Sequence, residues 1–394
     1  MATIHIIGAG ISGLAAATRL AEAGLPVKLY EASAHAGGRC RSSRDAALGL
    51  LDHGLYLTSP ADREWQRYLA RIDAPALQEV SALPLPTAPL IDYLPLLGWL
   101  ARPRGMAEHA LAPDNQLRDG WLRPAARLLF GTLPAQLPAR ALRRQWRRLG
   151  WRRMRMAAGS LQEQFIQPAL DYLEERGGSV YFSHALSRME RQDGRPASLI
   201  FGRKKLALGP EDIVILATPP AFTGTLLPLP ELPGHSAITL HFAVEHRQPS
   251  GLHYPIDTPM DLLRFEEERI AATLRIADHA WAGDEALLAE RIWQAIGQQF
   301  PALREHSLPD YAIRREKRAG HAVQELPPIS HDHGALILAG DWLNPRLPAS
   351  LEAAAASGHR AAALAMERLP KKPKREQAHP FRPVARPIRK KRIP

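Results

Sequence analysis

The opening stretch of the chain restricts its fold more than any other segment. A short apolar run, Ile4 to Ile7, leads straight into Gly8-Ala9-Gly10-Ile11-Ser12-Gly13, an alanine-rich stretch with helical spacing follows, and Val27-Lys28-Leu29-Tyr30-Glu31 reads as a second strand. Strand, glycine turn, helix and strand in that order make a βαβ unit that binds a dinucleotide. Gly8 permits the tight turn, Gly10 lets the backbone approach a pyrophosphate, and Gly13 lets the helix lie close on the strand, so that the helix N-terminus faces the phosphate charge. Glu31 stands about 20 residues further on, where a carboxylate accepts hydrogen bonds from an adenosine ribose. A carboxylate there disfavours a 2′-phosphate, and with it NADP.

Gly37-Gly38-Arg39 separates FAD from NAD: two glycines follow the ribose-binding acid, and an arginine is set beside the dinucleotide. Near the other end, Ala335 to Ala339 reads as a buried strand ending at Gly340-Asp341, which would deliver an acid and backbone amides to the ribityl and pyrophosphate region. A helix from about Ser350 to Leu369 follows, and its small residues Ala353 to Ala356, Ser357 and Gly358 would let it approach the flavin ring. Gly159 to Arg176 has helical periodicity and is broken by Gly177-Gly178; Val180 to Leu186 and Val214 to Ala217 then read as strands. Leu186 joins the expected cofactor-binding set. The expectation is an α/β protein whose FAD-binding domain is assembled from 1–58, 156–222 and 331–370, with an α+β substrate domain at 59–155 and 223–330. Within the latter, Ile238 to Val244 alternates like a sheet strand, and Asp284 can cap a helix running to Phe300.

The net charge of +11 is concentrated at one end. Residues 371–394 hold ten lysines and arginines against Glu376, or +9, which leaves the other 370 residues near +2. Rich in proline, this segment reads as a disordered basic tail. Residues 120–162 carry ten arginines and no acid. Their densest part, 140–155, interleaves the arginines with Leu142, Trp146, Leu149, Trp151 and Met154, and Leu142, Trp146 and Leu149 share a helical face. That pattern suits a helix lying in a membrane interface with its arginines on anionic headgroups; pairing with the acid-rich 257–290 stretch and, last, a nucleic-acid patch are the competing readings. Ile91 to Leu100 is apolar but too short to span a bilayer, which takes about 20 residues. The expected place is the cytoplasm, peripheral at the inner face of the membrane. A single cysteine, Cys40, excludes an internal disulfide and a multi-cysteine metal site, and no metal is expected; Cys40 reads as a buried thiol, or as one facing the flavin.

These residues resemble the flavin amine oxidase and carotenoid desaturase superfamily of Rossmann-like, GR2-type flavoproteins. Within it the chain is most similar to the squalene-associated FAD-dependent desaturases, the group that includes hydroxysqualene dehydroxylase of hopanoid biosynthesis. Arg315-Glu316-Lys317-Arg318-Ala319, Leu338-Ala339-Gly340-Asp341-Trp342, Leu347-Pro348-Ala349-Ser350-Leu351-Glu352 and Gln167-Pro168-Ala169-Leu170 carry the narrower resemblance, over about half of the chain. The family usually has Asp-x-Gly-Gln-His after its GGR segment; here Asp52-His53-Gly54-Leu55-Tyr56 has Leu-Tyr at the Gln-His positions.

The resemblance implies an apolar isoprenoid substrate and hydride delivery from reduced FAD to an allylic cation formed as a hydroxyl leaves hydroxysqualene, giving squalene. Departure of the hydroxyl requires a proton donor, for which His53 and Tyr56 are candidates beside their bland reading as core or surface residues. Lys317, one of four lysines ahead of the tail, matches a lysine that sits by flavin N5 in the related amine oxidases, or else forms an ion pair with Glu316. Oxidation of a polar amine and a non-catalytic, FAD-stabilised scaffold are the alternatives from other classes.

Overall fold

The computed structural model describes residues 2–80, 90–101, 104–112, 115–149, 154–244, 251–255, 258, 260–276, 283–304 and 307–369. The basic tail 371–394 lies outside them, as do Trp151 and its neighbours in 150–153.

β1 (Ile4–Ile7) is buried throughout, as an apolar strand inside a parallel sheet must be. The glycine turn leads into α1 (Ile11–Glu22), which returns the chain to β2 (Val27–Tyr30), parallel to β1 with Ile4 opposite Val27. A hairpin of β3 (Ser42–Asp45) and β4 (Gly49–Asp52) precedes α2 (Arg63–Arg71). β5 (Gln78–Val80) pairs antiparallel with β6 (Met154–Met156). Between these two strands lies a helical layer, α3 (Leu90–Ala101), α4 (Arg123–Phe130) and α5 (Ala139–Leu149), with Leu96, Trp121, Phe130 and Leu142 in a common core.

After α6 (Gln167–Glu175), β7 (Ser179–Tyr181) joins the edge of the sheet beside β2. The single strand expected over Val180 to Leu186 is interrupted. Ser183 adopts a positive φ of 54° and gives its N–H to the Ser33 carbonyl, and His184 gives its N–H to that of Glu31, so the chain turns away. Leu186 opens a separate antiparallel sheet, β8 (Leu186–Gln192), β9 (Arg195–Phe201) and β10 (Lys204–Ala207). β11 (Ile213–Leu216) comes back to the other side of β1. A short α7 (Pro220–Thr223) follows, and then β12 (Gly234–Ala243), β13 (Gly251–His253), β14 (Leu262–Glu266), β15 (Arg269–Ile276), α8 (Glu285–Gln299) and β16 (Tyr311–His321). The five strands form an antiparallel sheet in the order β13-β14-β15-β12-β16, and α8, capped by Asp284 through the Ala286 N–H at 2.9 Å, packs its Ile292, Trp293 and Ile296 into that sheet's core. β17 (Asp332–His333) and β18 (Leu336–Leu338) return to the first sheet, and α9 (Leu351–Arg368) ends the described chain with Ser350 as its cap.

The six-stranded sheet therefore runs β17-β18-β11-β1-β2-β7, parallel apart from its β17 edge. Its helices meet closely: a Cβ on Gly358 of α9 would stand 2.2 Å from the Ser12 carbonyl oxygen of α1. The small residues of α9 thus serve first to seat it on α1, with Ala354, Ala355, Gly358, Ala361 and Ala362 in the shared core.

The reading of α5 as a membrane-facing helix needs correction. Its apolar face points inward: Leu142 is fully buried and Trp146 stacks edge-on against Trp121 at 4.6 Å. Of its arginines, Arg148 pairs with Asp62 and Arg144 donates to the Arg346 carbonyl at 2.7 Å, so neither partner belongs to the acid-rich 257–290 stretch. Among the described residues no helix is long and apolar enough to cross a membrane.

Candidate active site

Two glycine turns bracket one groove at the start of α1. Gly8 has φ 103°, and a Cβ on it would lie 2.5 Å from the Ala217 carbonyl oxygen; one on Gly13 would lie 1.9 Å from that of Gly8. Gly10, by contrast, faces open space, with nothing within 4 Å of where its Cβ would be. The second turn is held against the first by the Gly37 N–H, which donates to the Ala9 carbonyl at 2.8 Å, and both Gly37 and Gly38 have positive φ. α1 begins without a capping side chain and without an acid in its first turn, so its leading N–H groups are left for an anion. Glu31 lies at the end of β2, accepting the Ala9 N–H at 2.8 Å and the Ser33 N–H at 2.9 Å. These features fit a dinucleotide: glycine where backbone must approach, open space where phosphate would lie, and a carboxylate at the ribose distance.

Arg39 leaves the second turn and crosses to β18's end. Its Nη2 is 2.6 Å from Asp341 Oδ2, and its Nη1 donates to the Ala319 carbonyl at 3.0 Å. Burial alone would raise the Asp341 carboxyl; the Arg39 charge outweighs it and holds that pKa below the ordinary value. Gly340 is fixed beside it by its N–H to Ser357 Oγ at 2.9 Å. Ser350 accepts the Ala353 N–H at 3.1 Å, so the start of α9 is capped by its own serine. Cys40 is buried, and burial pushes its thiol pKa up. Leu186 packs into the cluster containing Ile7 and Tyr30, beneath the sheet.

A narrow cleft, about 100 Å³ in volume, lies beside Arg39. Leu55, Leu57, Leu128, Leu129, Phe130, Met154 and Leu351 give it apolar walls, and His53, Tyr56, His235, Arg275 and Glu316 give it polar points. Tyr56 joins cleft to cradle: its hydroxyl donates to the Arg39 carbonyl at 2.8 Å, and burial pushes the phenol pKa well up. Asp52, one residue before His53, is a structural lock, accepting from Ser42 Oγ at 2.6 Å and the Leu161 N–H at 3.0 Å.

His53 Nε2 is 2.9 Å from Ser43 Oγ, which already accepts from Arg314 Nε at 3.0 Å, while Arg314 Nη2 rests 3.0 Å from Asp45 Oδ2. Ser43 has its own proton free to give to Nε2, an arrangement that puts the ring proton on Nδ1. Nδ1 is buried, and among the described residues it has no hydrogen-bond partner. Burial, together with the Arg41 and Arg314 charges, pushes the His53 pKa down to about 4, so the ring is neutral at pH 7.

Lys317 is not part of this group. The pairing of β12 with β16 slips between His235 and Ala237, so that Gly320 faces His235 while Glu316 faces Ala237. Lys317 and Arg318 lie in the resulting bulge and are exposed, whereas Glu316 lines the cleft, 3.5 Å from Arg41. Sequence reasoning passed over Glu316, His235 and Arg275. Arg275 donates to the Leu128 carbonyl at 2.5 Å, placing a cation at the C-terminus of α4. Gly131 ends that helix in the left-handed region, where a Cβ would meet His235 Nε2 at 2.8 Å. Burial and the Arg275 charge push the His235 pKa down to about 3.

Residues 6–72 match the family model for an NAD(P)-binding Rossmann-like domain. Over 93% of its length the chain is 31% identical to hydroxysqualene dehydroxylase of Zymomonas mobilis, covering 99% of that protein. The chain belongs to the hydroxysqualene dehydroxylase family. A second member, from Sinorhizobium fredii, is 30% identical over 92% of the chain and 98% of its own length. Solved structures share the fold at lower identity: an oxidoreductase from Methanosarcina mazei with a TM-score of 0.72 (16% identity, covering 93% of this chain and all of that one), and putrescine oxidase with 0.64 (17%, 93% and 99%). This member of the hydroxysqualene dehydroxylase family thus has the fold of FAD-dependent oxidoreductases.

Proposed function

We propose that this chain removes the hydroxyl of hydroxysqualene reductively, using FAD, to give squalene. The reading rests on one observation above the rest: a relative with that name matches the chain end to end, and the cleft beside the flavin cradle is walled by leucines. In balance, the carbon–oxygen bond breaks, the oxygen leaves as water after taking a proton, and a hydride forms the new carbon–hydrogen bond. Bound in reduced form, FAD supplies the hydride.

The chain's own residues would do the rest. The turn around Gly10 and the leading amides of α1 would take the pyrophosphate, Glu31 the adenosine ribose, and Arg39, Asp341 and the start of α9 at Ser350 and Ala353 the ribityl side. The leucine walls exclude water from the reacting carbon. His53, neutral at pH 7, would donate a hydrogen bond to the departing oxygen and orient it, with Ser43 on its other nitrogen, while the proton that leaves in the water molecule is supplied from solvent. Tyr56 is committed to the Arg39 carbonyl and serves to tie the cleft to the cradle. Neither role is assigned to Lys317.

The test is anaerobic. The reduced flavoprotein is mixed with hydroxysqualene in detergent, flavin absorbance is followed, and the lipids are extracted. Reoxidation with squalene formed in equal amount is expected. Reducible flavin that stays reduced with hydroxysqualene, but is reduced from its oxidised form by an amine, would transfer the assignment to amine oxidation.

A further inference from the structure

Six large apolar side chains are markedly exposed among the described residues, and five of them, Ile91, Leu94, Leu97, Met106 and Leu133, lie within residues 91–133. Three belong to α3, where Ile91, Leu94 and Leu97 are 67%, 54% and 58% exposed at i, i+3 and i+6, on one face. The opposite face is apolar too: Leu96 is buried, and Tyr93 and Trp99 pack on the core that holds Trp121 and Leu142. A helix apolar on both faces is normally buried on both. At 12 residues α3 is about 18 Å long, too short to cross a bilayer and long enough to lie in one surface of it.

The rim of this ridge is basic. The Ala139 N–H donates to the Gly105 carbonyl at 2.9 Å and Met106 bridges to Pro138, which brings the start of α5 beside the end of α3. Arg104 and Arg140 are both exposed at that end. Residues 90–149 contain ten arginines and four acids in all. An apolar ridge with cations at its edge complements an anionic lipid surface. A second copy of the chain on the same face would set one arginine rim against another.

We propose that α3 docks the protein on an anionic bilayer, with Ile91, Leu94 and Leu97 in the headgroup–acyl boundary and Arg104 and Arg140 on the headgroups. α4, in the same helical layer, presents Leu128 and Phe130 to the cleft, so the ridge lies next to the wall that a lipid would pass on its way in. The docking does not depend on which lipid reacts.

Co-sedimentation of the full chain with phosphatidylglycerol–phosphatidylcholine vesicles tests this, in low and high salt. High salt separates the ridge from the basic 371–394 segment, because charge-only attraction is screened and apolar burial is not. Wild type is expected to sediment in both. Changing Ile91, Leu94 and Leu97 together to Gln should lower the partition coefficient about 100-fold in both, since three apolar side chains no longer leave water. Changing Arg104 and Arg140 to Ser should lower it about tenfold in low salt only. The thermal midpoint of the Gln variant should stay at the wild-type value. Wild type that fails to sediment in high salt, a Gln variant that binds like wild type, a Gln variant that melts earlier, or a wild-type dimer that the Gln variant splits without losing vesicle binding would each overturn the proposal.

Discussion

Arg39 and Asp341 are 302 residues apart in the chain and 2.6 Å apart in space. One follows the second glycine turn and the other stands just after β18, so the pair fastens the first part of the fold to the last. The Asp341 side chain is almost wholly buried, and the arginine is its charged partner.

Arg39→Ala should therefore do more than remove a contact. It strands a buried carboxylate, at a cost of about 3–5 kcal/mol, and the ratio of flavin to protein absorbance in the purified variant should collapse. Arg39→Lys keeps the charge but not the two-pronged reach to Asp341 and the Ala319 carbonyl, and should retain an intermediate flavin content.

Gly358→Ala adds a Cβ 2.2 Å from a carbonyl oxygen of α1. Helix backbones cannot yield as a flexible side chain can, and an overpacked core contact of this kind costs about 1–3 kcal/mol. Differential scanning calorimetry should show a lower midpoint, whereas Gly10→Ala, whose Cβ meets nothing within 4 Å, should leave the flavin-free protein's midpoint unchanged and lower its flavin affinity.

For His53, turnover of hydroxysqualene by the His53→Ala variant should fall about 10²–10³-fold, the range for loss of a positioned hydrogen-bond donor to developing charge. His53→Gln keeps an N–H and should recover part of the loss, and Ser43→Ala, which frees the tautomer, should fall between the two. Wild-type turnover should be flat from pH 6 to 9, because a ring whose pKa lies near 4 does not titrate there. Equal rates for all four proteins in single-turnover flavin reoxidation would remove His53 from the chemistry.

Acid sensitivity is expected from the buried histidines. His241 is 3% exposed, gives its Nε2 proton to the Asp52 carbonyl at 2.9 Å, and is held down to about 4 mainly by burial. Between pH 6.5 and 4 the unfolded chain binds the proton that the folded chain refuses, so stability is full above pH 6.5 and falls as the pH drops toward 4. His235 and His53 act in the same direction. Denaturant midpoints measured across this range should decline with falling pH, and His241→Gln should reduce the slope.

The parts of the molecule that could be read from the residues are those with local causes. The glycine turn, both flanking strands, the cap at Asp284, and the apolar strands around 214–217 and 335–339 each follow from a few neighbouring side chains. Three features could not be read that way. Periodicity groups Leu142 with Trp146 on one face of α5 but does not say whether that face meets lipid or Trp121; Trp121 settles it from another element. Alternation along β16 gives no warning of the slip opposite Ser236, and that slip exposes Lys317 and turns Glu316 inward. Nor does any local signal tell that Arg314, from β16, converges on the Ser43–His53 pair of the β3–β4 hairpin.

The strand order has a further consequence, for how the protein is made. β1 lies at the middle of its sheet, yet the strand on its far side, β11, is more than 200 residues downstream, and β11 in turn waits for β18. A nascent chain therefore carries Ile4–Ile7 with one edge unpaired until most of the polypeptide has left the ribosome. Pairings of such sequence separation form slowly and leave apolar edges open to aggregation meanwhile. If flavin is held as proposed, by Gly10 and Asp341 together, its capture becomes one of the last events in the life of the newly made chain, and overproduction is expected to yield soluble protein in proportion to flavin supply and chaperone capacity.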